Sequence, residues 1–121
     1  RDNIELQGNS GSIILTYYAK AVNIVASGKG QTGTVTEDGN SKIPIKSIGT
    51  DLNKDGKFIL NGQRLYNLAL HDSYEVHSII INVKGKGFQL YTFTFGWDYI
   101  FLLFCTIPSN STDLGNVLKI L

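Results

Sequence analysis

Two groups of side chains in this sequence have the types and spacing that chemistry asks for. Asp51, Asn53 and Asp55, followed by Gly56, put oxygen-bearing side chains at alternate positions with a glycine at the sixth. That is the first half of a loop that wraps a calcium ion. The twelfth position is Gly62, which brings no carboxylate to complete the shell, so the expectation is a turn held by Asn and Asp side chains, with calcium as the alternative. His71 and His77, with Asp72 and Glu75 nearby, offer the donors of a metal site or of an acid/base pair. His77 has the parity of Ile79 and Ile81, which makes a partly buried strand histidine the plainer expectation. A small hydrolase would require Asp51, Asp55, His71 and His77 to converge in one cleft. No G-x-S-x-G nucleophile elbow and no glycine-rich phosphate loop before a helix is visible.

Sugar recognition asks for exposed aromatic faces flanked by hydrogen-bonding side chains. Tyr18 meets that requirement best, because it falls opposite the Ile13, Leu15 and Tyr17 set and beside Thr16; Trp97 meets it by residue type alone. Tyr17, Tyr66, Tyr91, Phe93 and Phe95 lie on inferred core faces.

Composition narrows the rest. The 121 residues are enough for one domain with a real core. Eleven Lys and Arg against ten Asp and Glu leave a formal charge of +1, scattered along the chain, so no basic footprint for nucleic acid or an anionic membrane is present. The single cysteine, Cys105, leaves no internal disulfide, no C-x-x-C redox pair and no cysteine-based zinc site. A start at Arg1 without a signal-peptide pattern, together with the absence of methionine, reads as a piece of something longer.

The elements that must position these residues are strands. Apolar residues recur at period two in short runs separated by Gly, Asn, Asp and Ser, and no stretch holds a helical period. Strands are expected at Ile4 to Leu6, Ser12 to Ala19, Ala21 to Ala26, Gln31 to Glu37, Lys42 to Ile48 at an edge because of Pro44, Phe58 to Leu60, Arg64 to Leu70, Tyr74 to Lys84 and Leu90 to Phe95. In the last of these Tyr91, Phe93 and Phe95 are expected to face the core, with Leu90, Thr92 and Thr94 outward. Tyr66, Leu68 and Leu70 are likewise expected to share a face. Asp38-Gly39 is the strongest hairpin signal, since both types tolerate a positive φ. The class is all-β, and the strand count of about eight or nine predicts a two-sheet antiparallel jelly-roll-like sandwich.

The order Tyr17-Tyr18-Ala19-Lys20-x-Val22, Asp38-Gly39, Gly62-x-Arg64-Leu65-Tyr66-x-Leu68 and Gly87-Phe88-Gln89-x-Tyr91-Thr92-Phe93-Thr94-Phe95-Gly96 resembles the C-terminal domain of DipZ and TlpA-like thioredoxin-family proteins, over roughly residues 1 to 96. The resemblance implies a fold similar to carbohydrate-binding modules and a periplasmic or other extracytoplasmic location. It also implies a thioredoxin-like domain upstream as neighbour or partner. The C-x-x-C of that neighbour does the family's chemistry, so the resemblance implies a non-catalytic accessory module without a cofactor, docking a partner, a glycan or the redox domain. A free-standing carbohydrate-binding module, with or without calcium-dependent binding, is the alternative.

Residues 97 to 121 differ in character. The run Tyr99 to Phe104 is nearly all large and apolar, yet far short of the roughly 20 residues that span a bilayer. A further strand with a tail packed on the sandwich is the expectation. A segment docking or swapping with another chain is the sharper alternative, and a cloning or frame artefact a third.

Overall fold

The structure, a computed structural model, describes residues 3–96, 101–106, 114–115 and 119–120. They form an all-β chain: β1 (Ile4–Leu6), β2 (Ser10–Ser27), β3 (Lys29–Glu37), β4 (Lys57–Asn61), β5 (Arg64–Lys84), β6 (Gln89–Thr94), β7 (Phe101–Thr106), β8 (Leu114–Gly115) and β9 (Lys119–Ile120). The path of paired strands runs β4-β3-β5-β2-β6-β1-β8, with β7 added to β2 and β9 to β6. All pairings are antiparallel except that of β9 with β6. The ladders are continuous, so the described strands are joined in one hydrogen-bonded sheet.

Two long strands organise it. β2 runs against β5 from Ser10↔Lys84 to Ala26↔Arg64. The other edge of β2 carries β7 along Ile14 to Tyr18 and β6 along Asn23 to Ser27, whereas β3 occupies the other edge of β5. The runs Ser12 to Ala19 and Ala21 to Ala26 are thus one strand, and so are Arg64 to Leu70 and Tyr74 to Lys84.

The inner face is apolar. Ile13, Leu15, Tyr17 and Ala19, then Val22, Ile24 and Ala26, are buried along β2. The step from odd to even parity falls at Lys20, where the register with β5 shifts. Phe58 and Leu60 come from β4, Tyr66 from the start of β5, and Ile79, Ile81 and Val83 from its end. Burying such side chains stabilises the fold by roughly 1.5–3 kcal/mol each.

Irregularities reverse two expected faces. Between Val25 and Ala26 the pairing partner on β6 jumps from Thr92 to Leu90, leaving Tyr91 as the extra residue. Such a bulge flips parity. Leu90 is consequently buried with Phe93 and Phe95, whereas Tyr91 is half-buried and donates its hydroxyl to Gln89 Oε1 at 2.6 Å. In β5 the partner jumps from Ala69 to Asn67 between Val22 and Asn23, so Leu68 and Ala69 both face in and Leu70 is exposed.

Lys42 to Ile48 is not a strand. Ile45–Ser47 is one turn of 3₁₀ helix entered from Pro44, and only Ile48 bridges to Ala69. Pro44 lacks the N–H that a ladder would use, and the alternation of Ile43 with its neighbours survives only as burial of Ile43 and Ser47. Asp38-Gly39 does form a tight turn with φ of 51° and 79°, closed by Asn40 N–H to Glu37 O at 2.9 Å. No paired strand returns from it, because the chain leaves into that 3₁₀ segment.

The backbone of Phe101–Thr106 supplies the further strand expected in the C-terminal segment. Among the described residues no helix is long and apolar enough to cross a membrane.

Candidate functional site

Among the described residues, Glu37 is the one buried acidic residue. Glu37 continues the inward parity of Gly33 and Val35 at the end of β3, so the ladder itself carries a carboxylate into the core boundary, where its side chain is only 4% exposed. Across from it, β5 bulges. Ala19 pairs with Glu75 and Ala21 with Leu70, so His71, Asp72, Ser73 and Tyr74 all lie opposite Lys20 alone. The surplus residues turn His71 inward, to 5% side-chain exposure. His77 follows from the regular part of β5, opposite Tyr17.

The two imidazoles are thereby stacked, with centroids 3.9 Å apart and planes 8° from parallel. His71 Nε2 is 2.8 Å from the Tyr17 hydroxyl and 3.4 Å from Glu37 Oε1. His77 Nδ1 is 2.7 Å from Asp38 Oδ2 and 3.8 Å from Glu37 Oε1. Asp38 Oδ1 accepts the Ser78 N–H at 2.8 Å. The Asp38-Gly39 turn thus aims its carboxylate at the strand beside it. Among the described residues Glu37 Oε1 has no hydrogen-bond partner.

Electrostatics follow from burial. Desolvation pushes His71 down to about 4, helped by the neighbouring His77, so His71 is a neutral imidazole near neutral pH. Burial raises the Glu37 carboxyl, and the His77 imidazole only partly opposes it. Burial, then the charges of Glu37 and Asp38, raise the Tyr17 phenol, which stays protonated. Asp38 is also pushed up by burial, but the Ser78 N–H and the His77 hydrogen bond outweigh that and hold its carboxyl below the ordinary value. A neutral imidazole such as that of His71, beside carboxyl oxygens, offers a lone pair suited to accepting a proton or holding a cation. The cluster opens into a hollow of about 350 Å³, rimmed by Pro44, Lys46, Asp72, Ser73 and Glu75.

The other sequence candidates lie elsewhere. Asp51 accepts Arg64 Nη2 at 2.8 Å and the Asn67 N–H at 2.7 Å. Asn53 Oδ1 accepts the N–H groups of Asp55 and Lys57, the expected Asx turn, and Asp55 pairs with Lys42 Nζ at 3.2 Å. Neither Asp51 nor Asp55 lines the histidine hollow, so the convergence that a hydrolase built on these four residues would need is not met. Tyr18 stands on the outer face of β2, its ring stacked on Tyr74 at 5.6 Å, and Thr16 Oγ1 lies 3.0 Å from Ser78 Oγ. Trp97 lies outside the described residues.

The sequence pairs the two histidines with Asp72 and Glu75, and both acids do line the hollow, with Glu75 Oε1 3.8 Å from His77 Nε2. The inward carboxylate, Glu37, went unnoticed, although its parity with Val35 was a readable signal.

A family model described as the thioredoxin-like C-terminal domain matches residues 1–96. No curated protein and no solved structure matches the chain. The matched span holds β1 to β6 and every residue of the histidine recess. This chain belongs to the thioredoxin-like C-terminal domain family.

Proposed function

We propose that this domain is a non-catalytic accessory module of an extracytoplasmic thioredoxin-like protein of the DipZ or TlpA type, and that it docks the neighbouring redox domain or a protein partner. The observation that carries this reading is the family match over residues 1–96 in a chain with a single cysteine. Without a second cysteine the chain cannot close and open a dithiol by itself. Its contribution is then binding and positioning. The mouth of the recess, with Lys46 beside Asp72 and Glu75, suits a polar partner surface. We read the curl of the sheet as closing in two layers, in the manner of a jelly roll. The test is the natural reading frame and its product: a thioredoxin-like segment with C-x-x-C before Arg1 is expected, and a glycoside hydrolase or no redox domain there contradicts the reading.

Glycan binding is the second reading, and the stacked Tyr18 and Tyr74 on the outer face of the sheet favour it. A glycan array probed with and without calcium, and again with Tyr18→Ala, tests it. Saturable binding that disappears in the variant supports a lectin-like module; silence in both conditions leaves partner docking.

A further inference from the structure

We propose that Glu37, His71 and His77 form a binding site for a divalent transition metal ion of the zinc type, with Asp38 placed to complete the shell. One donor atom from each of the three lies within 4.8 Å of the others. Zinc takes nitrogen and oxygen ligands at about 2.0–2.2 Å in a tetrahedron, which puts neighbouring donors roughly 3.3–3.5 Å apart. The 3.4 Å from Glu37 Oε1 to His71 Nε2 is already at that spacing and the 3.8 Å to His77 Nδ1 is close to it, while the set as a whole, within 4.8 Å, must draw together around an ion.

The state of Glu37 points the same way. A carboxylate oxygen buried without a hydrogen-bond partner is costly, and Glu37 Oε1 is such an oxygen, aimed at two imidazole nitrogens. A cation between them would satisfy it. Two imidazoles with one or two carboxylates select zinc and its borderline neighbours over calcium or magnesium, which favour all-oxygen shells. Two contacts must yield to the ion: the Tyr17 hydroxyl now meets His71 at Nε2, the nitrogen that would bind, and Asp38 Oδ2 lies 2.7 Å from His77 Nδ1, which leaves that carboxylate beside the site as a further oxygen donor. The donors come from two adjacent strands, and the bulge opposite Lys20 is what brings His71 to the other two.

The site also makes a geometric demand. Rings stacked 8° from parallel direct their in-plane lone pairs along nearly parallel planes, so a common ion requires one ring to turn about its Cβ–Cγ bond. His77, 15% exposed against 5% for His71, has the room to do so.

The test is calorimetric titration of the chelator-treated full chain with zinc alone, with calcium and magnesium in parallel, and a visible spectrum with cobalt(II) as a report of tetrahedral coordination. The expected result is one equivalent of zinc bound, a tetrahedral cobalt spectrum and no comparable binding of calcium or magnesium. Affinity should fall more than about tenfold in both Glu37→Gln and His77→Asn, since even an outer partner of a ligand typically costs that much. Thermal unfolding of each variant separates lost binding from lost folding. Should Glu37→Gln fail to fold, His77→Asn at the more exposed position decides alone. No saturable zinc binding by the unsubstituted chain, or undiminished binding in the folded variants, overturns the proposal.

Discussion

The imidazole of His71 stacks on that of His77 at 3.9 Å, although an alternating strand would send residues six apart to the same face nearly 20 Å away from each other. The four residues of β5 that face Lys20 alone take up that length. The same bulge lets β5 serve both halves of β2 and brings His71 to Glu37, the one buried acidic residue among those described. Bulges recur where a sheet re-aims a side chain toward a site.

Tyr17→Phe tests how far the cluster depends on its one phenol. The substitution keeps the buried ring against Phe95 and removes the hydroxyl that meets His71 Nε2 at 2.8 Å. A loss of about 1–2 kcal/mol is expected, read as a lower urea midpoint with an unchanged m-value. An unchanged midpoint would mean that the hydroxyl and the imidazole do not depend on each other.

Asp51 gives the fold an acid-sensitive strut. Burial raises its carboxyl, but the Arg64 hydrogen bond and the Asn67 N–H outweigh this and hold it below the ordinary value. A depressed folded-state value stabilises above the unfolded value of about 3.9 and loses that contribution as pH falls through the folded one. Asp51→Asn should therefore cost about 1–3 kcal/mol at pH 7 and lose less stability than the unsubstituted chain as pH falls below 4. Parallel urea midpoints from pH 7 to pH 3 check both points; curves that keep a constant separation would contradict the assignment.

Calcium should leave the melting temperature unchanged. Arg64, the Asp55 and Lys57 N–H groups, and Lys42 already engage Asp51, Asn53 and Asp55 respectively, and an ion would have to displace them. A ligand that binds only the folded state raises stability by mass action, so a calcium-dependent rise in melting temperature, lost in Asp55→Asn, would restore the calcium-loop reading.

Gly49 marks where the 3₁₀ segment closes on β5. A Cβ there would meet the Asn67 carbonyl oxygen and the Leu68 carbonyl carbon, which are backbone atoms with no rotamer to yield. Gly49→Ala should destabilise by about 1–3 kcal/mol, measured by denaturant unfolding. Gly62→Ala is an informative companion: nothing stands near its added Cβ, so its cost comes only from the φ of 89°.

Regular alternation made much of the fold legible. Ile13, Leu15 and Tyr17 fell on the core face and Tyr18 on the other, as period two requires. Bulges were not legible, since an extra residue leaves no mark in composition. That is why Tyr91 and Leu90 exchange faces and why His71 turns inward. Lys42 to Ile48 misled for the opposite reason: its alternation is genuine, but Pro44 starts a 3₁₀ turn instead of a ladder. Of the recess, His71, His77 and the Asp38 turn were visible in the sequence. Their convergence on Glu37 needed the pairing of β3 with β5.

Binding of this chain to a thioredoxin-like domain, followed by isothermal titration in both redox states of that domain, tests the accessory-module reading most directly. Saturable binding in at least one state, weakened by Lys46→Glu at the mouth of the recess, is the predicted result. An absence of binding in both states would contradict it.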